Sequence, residues 1–291
     1  MNNKFKLFVA LLACWVCAFA ASAQNAERVI TESSAPAEDI YIDDIVSKRL
    51  ITDAKLMSYE PIREADIAWE KRVWRLVETR EKMNLAWRAE EAPFFNILKD
   101  MIQNGDITVF EDEKFKEALT FEDVEKKLFD VDTITTFDYD TDEEKVQVVK
   151  NTKDWRNIYR FRVKEIWFFD EEASMMKNRI IGIAPLYEET VEGLDRPFEY
   201  PLFWVYYPEA RTFLSKHRVI SDNNDVAPMT WADLLDNRYF TSIIYKKSNV
   251  LDFKVDQYFD DKDPMFYFDK LMESEKIKNE LFNFEHDLWE Y

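Results

Sequence analysis

Ile158-Tyr-Arg-Phe-Arg-Val-Lys-Glu-Ile-Trp-Phe-Phe169 has the clearest residue pattern in the chain. From Tyr159 to Lys164 aromatic or aliphatic residues alternate with charged ones, which is typical of a β-strand with one buried face. Other segments rich in β-branched and aromatic residues span 133–139, 146–150, 178–184 and 203–207. No repeated βαβ crossover connects these segments, so the pattern predicts an antiparallel sheet.

The segment before the sheet has a different periodicity. From Ile62 to Trp87 apolar side chains recur at steps of three and four residues, which predicts a long N-terminal helix beginning after Pro61. Arg80 occupies the seam position that is not apolar. An arginine there most often extends along the edge of the core or meets a carboxylate, and the alternative is that it binds a partner.

Shorter helices are predicted elsewhere in the chain. Phe94–Gln103 follows a proline, and Thr120 and Thr230 each begin a sequence that resembles a capping box. Tyr239–Tyr245 is a further candidate strand. Asp263, followed by a proline, predicts the start of a C-terminal helix that continues to Trp289. A central antiparallel sheet flanked by helices defines an α+β fold.

The N-terminus has the composition of an export signal. Two lysines precede an apolar run that ends at Ala20, and Ala21-Ser-Ala23 is a cleavage signature. We therefore predict a signal peptide over residues 1–23 that is cleaved after Ala23. The apolar run is too short for a membrane anchor. The alternative processing is lipidation at Cys14.

Residues 24–60 resemble a linker or an extended arm. Small and polar residues at 33–37 are typical of a linker, whereas the apolar residues of 40–46 can anchor the arm. The arm is expected to fold on its own domain, and the alternative is that it is donated to a neighbouring subunit. The α+β domain is then predicted to cover residues 61–291.

The composition excludes several classes of function. The chain has 291 residues, a formal net charge of -19, two cysteines and three glycines. Glycine-rich phosphate loops and dinucleotide folds need more glycine, and nucleic-acid binding needs a basic face. Both cysteines, Cys14 and Cys17, precede the predicted cleavage site, so the mature chain has no thiol nucleophile.

Few residues are suited to catalysis or to binding a metal. His217 and His286 lie in no zinc-binding spacing, and the acidic run at 138–143 lacks the glycine and glutamate of a calcium loop. Paired carboxylates for sugar hydrolysis cannot be recognised from spacing alone. We predict no enzyme activity, no cofactor and no metal. A carbohydrate-active or calcium-dependent periplasmic module is the alternative.

Several segments resemble a known family. They are Trp69–Asn84 (WEKRVWRLVETREKMN), Leu202–Pro208 (LFWVYYP), Ser242–Asn249 (SIIYKKSN), Glu273–Lys278 (ESEKIK) and Asn283–Tyr291 (NFEHDLWEY). Together they resemble the gliding motility family GldN, also called PorN, of the type IX secretion system. The resemblance covers the chain from about residue 40 to Tyr291.

This resemblance implies a structural role in the periplasm. Family members form a ring at the inner face of the outer membrane with the lipoprotein GldK (PorK). They are expected to contact the periplasmic domain of GldM (PorM), which belongs with GldL to the inner-membrane motor. The ring supports protein secretion and, where present, gliding motility. The resemblance implies no catalytic residues, and it agrees with the predicted lack of nucleic-acid binding and of a membrane span in the mature chain.

The negative charge limits how copies of the chain can meet. We expect self-contacts through apolar and aromatic surface, with acidic residues elsewhere or matched to a basic partner such as the GldK-like lipoprotein. The apolar end of the chain, 282–291, is expected to dock on its own domain, and a partner is the alternative. The candidate interface residues are Arg80, Trp204, Tyr206, Tyr207, Trp289 and Tyr291.

Overall fold

The computed structural model describes residues 56–138, 143–152, 155–189, 198–220, 229–260 and 262–287. The strands are β1 (Ile67–Glu78), β2 (Val109–Phe110), β3 (Ala118–Leu119), β4 (Phe129–Asp138), β5 (Glu143–Thr152), β6 (Arg160–Asp170), β7 (Met175–Glu189), β8 (Phe198–Pro201), β9 (Trp204–Tyr206) and β10 (Ile243–Lys247). The described helices are α1 (Phe94–Gln103), α2 (Phe121–Leu128), α3 (Tyr207–Leu214), α4 (Trp231–Asp236) and α5 (Phe266–Asp287).

The main sheet is antiparallel throughout, as its strand patterns predict. Its strand order is β10-β1-β6-β7-β9-β2-β3, with β8 paired to the far end of β7, and β4 and β5 form a separate hairpin. β6 lies between β1 and β7, with Val163 opposite both Arg75 and Ile183. Helices flank this sheet, so the predicted α+β fold is confirmed.

The predicted long N-terminal helix is wrong. Residues 67–78 form strand β1, and Lys82–Arg88 forms a short 3-10 helix. β1 lies between two strands, and its middle is covered on both faces, so Val73, Trp74 and Arg75 are buried in succession beside a register shift with β10. Burial on both faces breaks the simple alternation of a strand, and the remaining apolar spacing resembles that of a helix.

The other helix predictions correspond to helices in the structure. α4 begins with a complete capping box, in which the Thr230 hydroxyl accepts from the Asp233 backbone N–H and the Asp233 carboxylate accepts from that of Thr230. The predicted C-terminal helix is α5, and the Asp263 carboxylate accepts a hydrogen bond from the Met265 backbone N–H just before it. The candidate strand at 239–245 is displaced toward the C-terminus, because β10 begins at Ile243.

The largest core cluster includes an aromatic layer between the sheet and the helices α1 and α4. The Trp87 ring lies 4.7 Å from that of Phe94, 5.0 Å from Phe161 and 5.5 Å from Trp231. These four side chains are almost wholly buried, and they come from the 3-10 helix, α1, β6 and α4. This layer therefore joins elements that are far apart in the chain.

Candidate interaction site

A buried ion cluster forms the floor of the candidate site. Glu165 on β6 is fully buried, and its Oε2 accepts hydrogen bonds from Nε of Arg75 (2.9 Å) and from Nε1 of Trp167 (3.0 Å). Its Oε1 lies 3.3 Å from Nη2 of Arg238, although the geometry is not that of a hydrogen bond. Two guanidinium groups therefore share one carboxylate, which leaves the cluster with a net positive charge.

The end of α4 positions Arg238 over this floor. The backbone N–H groups of Arg238 and Tyr239 donate to the carbonyls of Leu235 and Leu234, which is the Schellman pattern of helix termination. Arg238 occupies the position of that motif that favours glycine, with a φ of 56°. Its guanidinium lies 4.9 Å above the Trp167 ring. Burial lowers the pKa of Arg238 to about 10, with Glu165 opposing the shift, so the side chain is charged at neutral pH.

A cavity of about 830 Å³ lies above the floor, and we call it the α5 groove. α5 contributes Leu271, Lys278 and Phe282 to the groove, and the segment 240–243 lines it as well. Leu271 and Phe282 are 43% and 65% exposed, so part of the lining is apolar and open to solvent. Three carboxylates also line the groove, those of Glu81, Glu275 and Glu285.

A second feature is the segment 56–60, which we call the strap. The Tyr59 ring lies between two guanidinium groups, 4.8 Å from that of Arg179 and 3.9 Å from that of Arg211. The Tyr59 hydroxyl donates to Asp236 (3.0 Å), and burial, together with this carboxylate, raises the pKa of the phenol. The strap is thus bound to the domain. The predicted boundary at residues 60 and 61 had assigned the strap to the N-terminal arm.

We predict that Tyr59→Leu lowers the free energy of unfolding by about 1–3 kcal/mol, because it removes two cation–π contacts and a hydrogen bond to a carboxylate. Tyr59→Phe keeps the ring between the guanidinium groups and is expected to cost less than half as much. Urea denaturation measures both values, and limited proteolysis reports whether the strap detaches. Equal stability of the leucine variant and the wild type would contradict the prediction.

A third feature is the turn after β10, residues 248–253, which we call the finger. The Asn249 side chain fixes this turn, because its amide donates to the carbonyls of Lys247 (3.0 Å) and Phe253 (2.8 Å) and accepts from the Phe253 N–H (2.9 Å). The Asp252 carboxylate lies 2.9 Å from Nζ of Lys246. Val250 is fully exposed and Leu251 is 67% exposed, so a well-bonded turn presents two aliphatic side chains to solvent.

The segment that begins with the finger is rich in exposed apolar side chains. Half of the exposed large apolar side chains of the described residues lie between Val250 and Met272. They include Phe253, Tyr258 and Phe268. Exposed apolar side chains in such number mark a site of protein or membrane contact more often than ordinary surface.

The predicted interface residues differ in how far they are exposed to solvent. Arg80 is exposed, donates to Glu78 (2.7 Å) and lies 4.6 Å from the Tyr159 ring, so it meets a carboxylate at the edge of the core. Tyr206 is partly exposed beside the ring of Phe115. Both residues stay available to a partner.

Two predicted interface residues are core residues instead. Trp204 is buried with Trp74 and Ala184, and Tyr207 is buried with its hydroxyl donating to Asp236 (2.7 Å). Aromatic residues at the end of a strand have the same pattern whether they face the core or a partner, so the sequence did not distinguish these cases. We remove both side chains from the predicted interface.

The end of the chain is described as far as Asp287. Trp289 and Tyr291 lie outside the described residues, so their predicted interface role stays a prediction. Phe284 stacks on Trp69 at 4.6 Å, which means that part of the apolar end docks on its own domain. Phe282 on the same helix remains exposed.

Within the described ranges, no group of three or more His, Cys, Asp or Glu side chains is arranged to hold a metal ion. The acidic runs at 138–143 and 222–225 lie partly or wholly outside those ranges. Burial lowers the pKa of His217, which disfavours its charged form. In the same part of the chain, no helix combines the length and apolar character that crossing a membrane requires.

Sequence reasoning missed the finger and the ion cluster. A signal for the finger exists, because Val250-Leu251 is an apolar pair inside a turn bounded by asparagine and aspartate. No sequence signal pairs Glu165 with Arg75, since the two residues are 90 positions apart.

The sheet defines an α+β protein, and the groove and the finger are surface features suited to contact with other proteins. The sequence model described as "Gliding motility associated protein GldN" matches residues 62–290, and the chain belongs to this family. No curated protein matches the chain. Family membership makes the chain a component of the gliding motility and type IX secretion machinery. It also implies that the chain associates with other components of that system.

Proposed function

We propose that the chain is a non-enzymatic structural subunit of the periplasm. It forms a ring with further copies of itself and with a GldK/PorK-like lipoprotein at the inner face of the outer membrane, and it contacts the periplasmic domain of GldM/PorM. The signal peptide over residues 1–23 delivers it there. In this position it supports protein secretion and, where present, gliding.

The observation that carries this proposal is the exposed apolar surface between Val250 and Met272. Exposed apolar side chains do not help to keep a chain soluble, and the net charge of -19 already does so. Covering these side chains with a partner removes apolar surface from water, which lowers the free energy of the complex. Arg80 and Tyr206 add a cation and an aromatic ring elsewhere on the surface. Two partner classes are expected, since apolar contacts suit further copies and the excess of acidic residues suits a basic partner.

The test is capture of the full-length chain, carrying an affinity tag, from cells of its own species. We expect a GldK-like lipoprotein and the GldM-like protein to co-purify in a very large complex. Raising salt from about 0.05 M to about 0.5 M during the wash is expected to release most of the lipoprotein, because long-range electrostatic attraction is screened.

The controls separate the parts of this proposal. Lipoprotein binding that does not respond to salt would remove the electrostatic part and leave the assembly itself. A chain that is recovered alone, from cells that secrete normally without it, would refute the structural role. Cross-linking mass spectrometry of the captured complex identifies the residues in contact.

A further inference from the structure

Two cavities lie beside the strap, and we call them the strap cavities. Their volumes are about 510 Å³ and about 170 Å³. Both are lined by Tyr59 of the strap, by Asn178 and Arg179 of β7, and by Arg238 just after α4. Arg238 also lines the α5 groove, so the groove and the strap cavities share this side chain.

The lining of the strap cavities carries more positive than negative charge. Four cations and two carboxylates line them, namely Lys177, Arg179, Arg211 and Arg238 with Glu60 and Asp236. The Glu60 carboxylate lies 2.8 Å from Nζ of Lys177, which also pairs with Asp170 outside the lining. The Asp236 carboxylate lies 2.7 Å from Nε of Arg211. The other two cations, both guanidinium groups, therefore have no carboxylate of their own in the lining.

The first of these guanidinium groups, that of Arg238, is incompletely bonded. Its carboxylate partner is Glu165, which lies 3.3 Å away without the geometry of a hydrogen bond and is already bonded to Arg75. The buried Nε of Arg238 has no hydrogen-bond partner among the described residues. A buried guanidinium that is incompletely bonded gains more from an added acceptor than an exposed one does, because water does not already satisfy it.

The second guanidinium group, that of Arg179, is oriented by groups that do not neutralise it. Its Nη2 donates to the Glu60 carbonyl (2.7 Å), and its guanidinium lies 4.8 Å from the Tyr59 ring and 5.7 Å from the Phe168 ring. Within the part of the chain that the structure describes, no carboxylate forms an ion pair with Arg179. Counting every described ion-pair partner, the strap cavities and their surroundings hold five cations and four carboxylates, so a positive charge remains.

The lining indicates which kind of anion fits. Guanidinium groups are planar and donate paired N–H groups in the geometry that a carboxylate accepts. Trp167 and Met176 add apolar surface to the larger cavity, which suits an aliphatic stem. A volume of about 510 Å³ lies within the range of sites for organic ligands, and a bare inorganic ion needs less.

We propose that the strap cavities bind a carboxylate on an aliphatic stem through the guanidinium groups of Arg179 and Arg238, and that an acidic segment of a partner protein supplies it. This inference goes beyond the proposed function, which assigns no binding site to these residues. The net charge of -19 repels acidic peptides from most of the molecule. Binding of such a peptide therefore requires a local site of this kind.

The purified full chain and a fluorescently labelled tetraglutamate peptide test the site. Fluorescence polarisation at about 0.05 M salt is expected to show saturable binding, because surface attraction is least screened there. A labelled tetraglutamine peptide is expected to bind at least about tenfold more weakly, since it lacks the charge that strengthens hydrogen bonds to guanidinium. Glutarate, a free dicarboxylate with an aliphatic stem, is expected to compete at lower concentration than inorganic phosphate.

Variants assign the binding to the two arginines. Arg238→Gly removes one guanidinium and suits the φ of 56° at this position, so the fold should be kept. It is expected to weaken tetraglutamate binding at least about tenfold, and Arg179→Gln should do the same. Arg179→Lys keeps the charge without the planar fork and should give an intermediate loss. Arg72→Gln, which removes an exposed guanidinium outside both cavities, is expected to change binding less than about twofold.

A second measurement separates binding from a general effect on the fold. Glutarate is expected to raise the thermal midpoint of the wild type and of Arg72→Gln, because a ligand that binds the folded state stabilises it. The same concentration should leave the midpoint of Arg238→Gly unchanged. Circular dichroism checks that each variant is folded before binding is compared.

The outcomes distinguish this inference from the proposed function. Lack of saturable tetraglutamate binding, or an equal loss in Arg72→Gln and Arg238→Gly, would overturn the site and leave the structural role intact. Phosphate that competes at lower concentration than glutarate would overturn the carboxylate assignment. Glutarate that binds where tetraglutamate does not would overturn the protein source. A chain recovered alone from cells, whose purified form still binds tetraglutamate, would refute the proposed function and support the site.

Discussion

Replacing Glu165 with alanine is expected to lower the free energy of unfolding by about 3–5 kcal/mol, because it leaves the buried Arg75 guanidinium without its counterion. Arg238 loses the same carboxylate. The Trp167 indole N–H also loses its acceptor. Urea denaturation followed by tryptophan fluorescence measures the change.

The controls for this variant test the physical reason. Glu70→Ala removes an exposed carboxylate that pairs with Arg72, and it should change stability by less than about 1 kcal/mol. Replacing Arg75 with methionine together with Glu165→Leu removes both charges of the closest pair, and it should cost less than Glu165→Ala alone. A Glu165→Ala variant as stable as Glu70→Ala would show that the buried ion cluster does not contribute to the stability of the fold.

The second large effect is expected at Trp87, where substitution by alanine should cost about 3–5 kcal/mol. The indole is 2% exposed and contacts rings from α1, β6 and α4. Its removal leaves a cavity between elements that touch through this side chain. Thermal and urea denaturation of the folded chain measure the loss.

Two variants control for this effect. Trp87→Phe keeps an aromatic ring in the layer and should cost less than half as much, whereas Tyr239→Ala removes an exposed ring and should cost less than about 1 kcal/mol. A similar cost for Trp87→Ala and Tyr239→Ala would mean that the aromatic layer does not join the sheet to its helices.

The candidate site was predictable only in part. The family resemblance indicated that the chain acts through contacts, and Arg80 and Tyr206 lie at the surface as an interface requires. Trp204 and Tyr207 have the same local pattern and are buried, because the loop carrying Phe115 and the helix α4 cover them. Which aromatic residue stays exposed depends on what packs against it, and this is not a local property of the sequence.

The sequence alone determined the features that depend on neighbours in the chain. The alternation at 159–164 specifies β6, and Thr230 with Asp233 specifies the start of α4, because strand periodicity and helix capping act over a few residues. Only the tertiary structure decided that residues 67–78 form a strand, since pairing with β6 along its length and with β10 at 73–76 places it inside the sheet, and Val73, Trp74 and Arg75 are buried in succession. The cluster of Arg75, Glu165 and Arg238 was also decided only by the tertiary structure. Packing of distant segments buries these charged groups together, although each of them is more stable in water when it is alone.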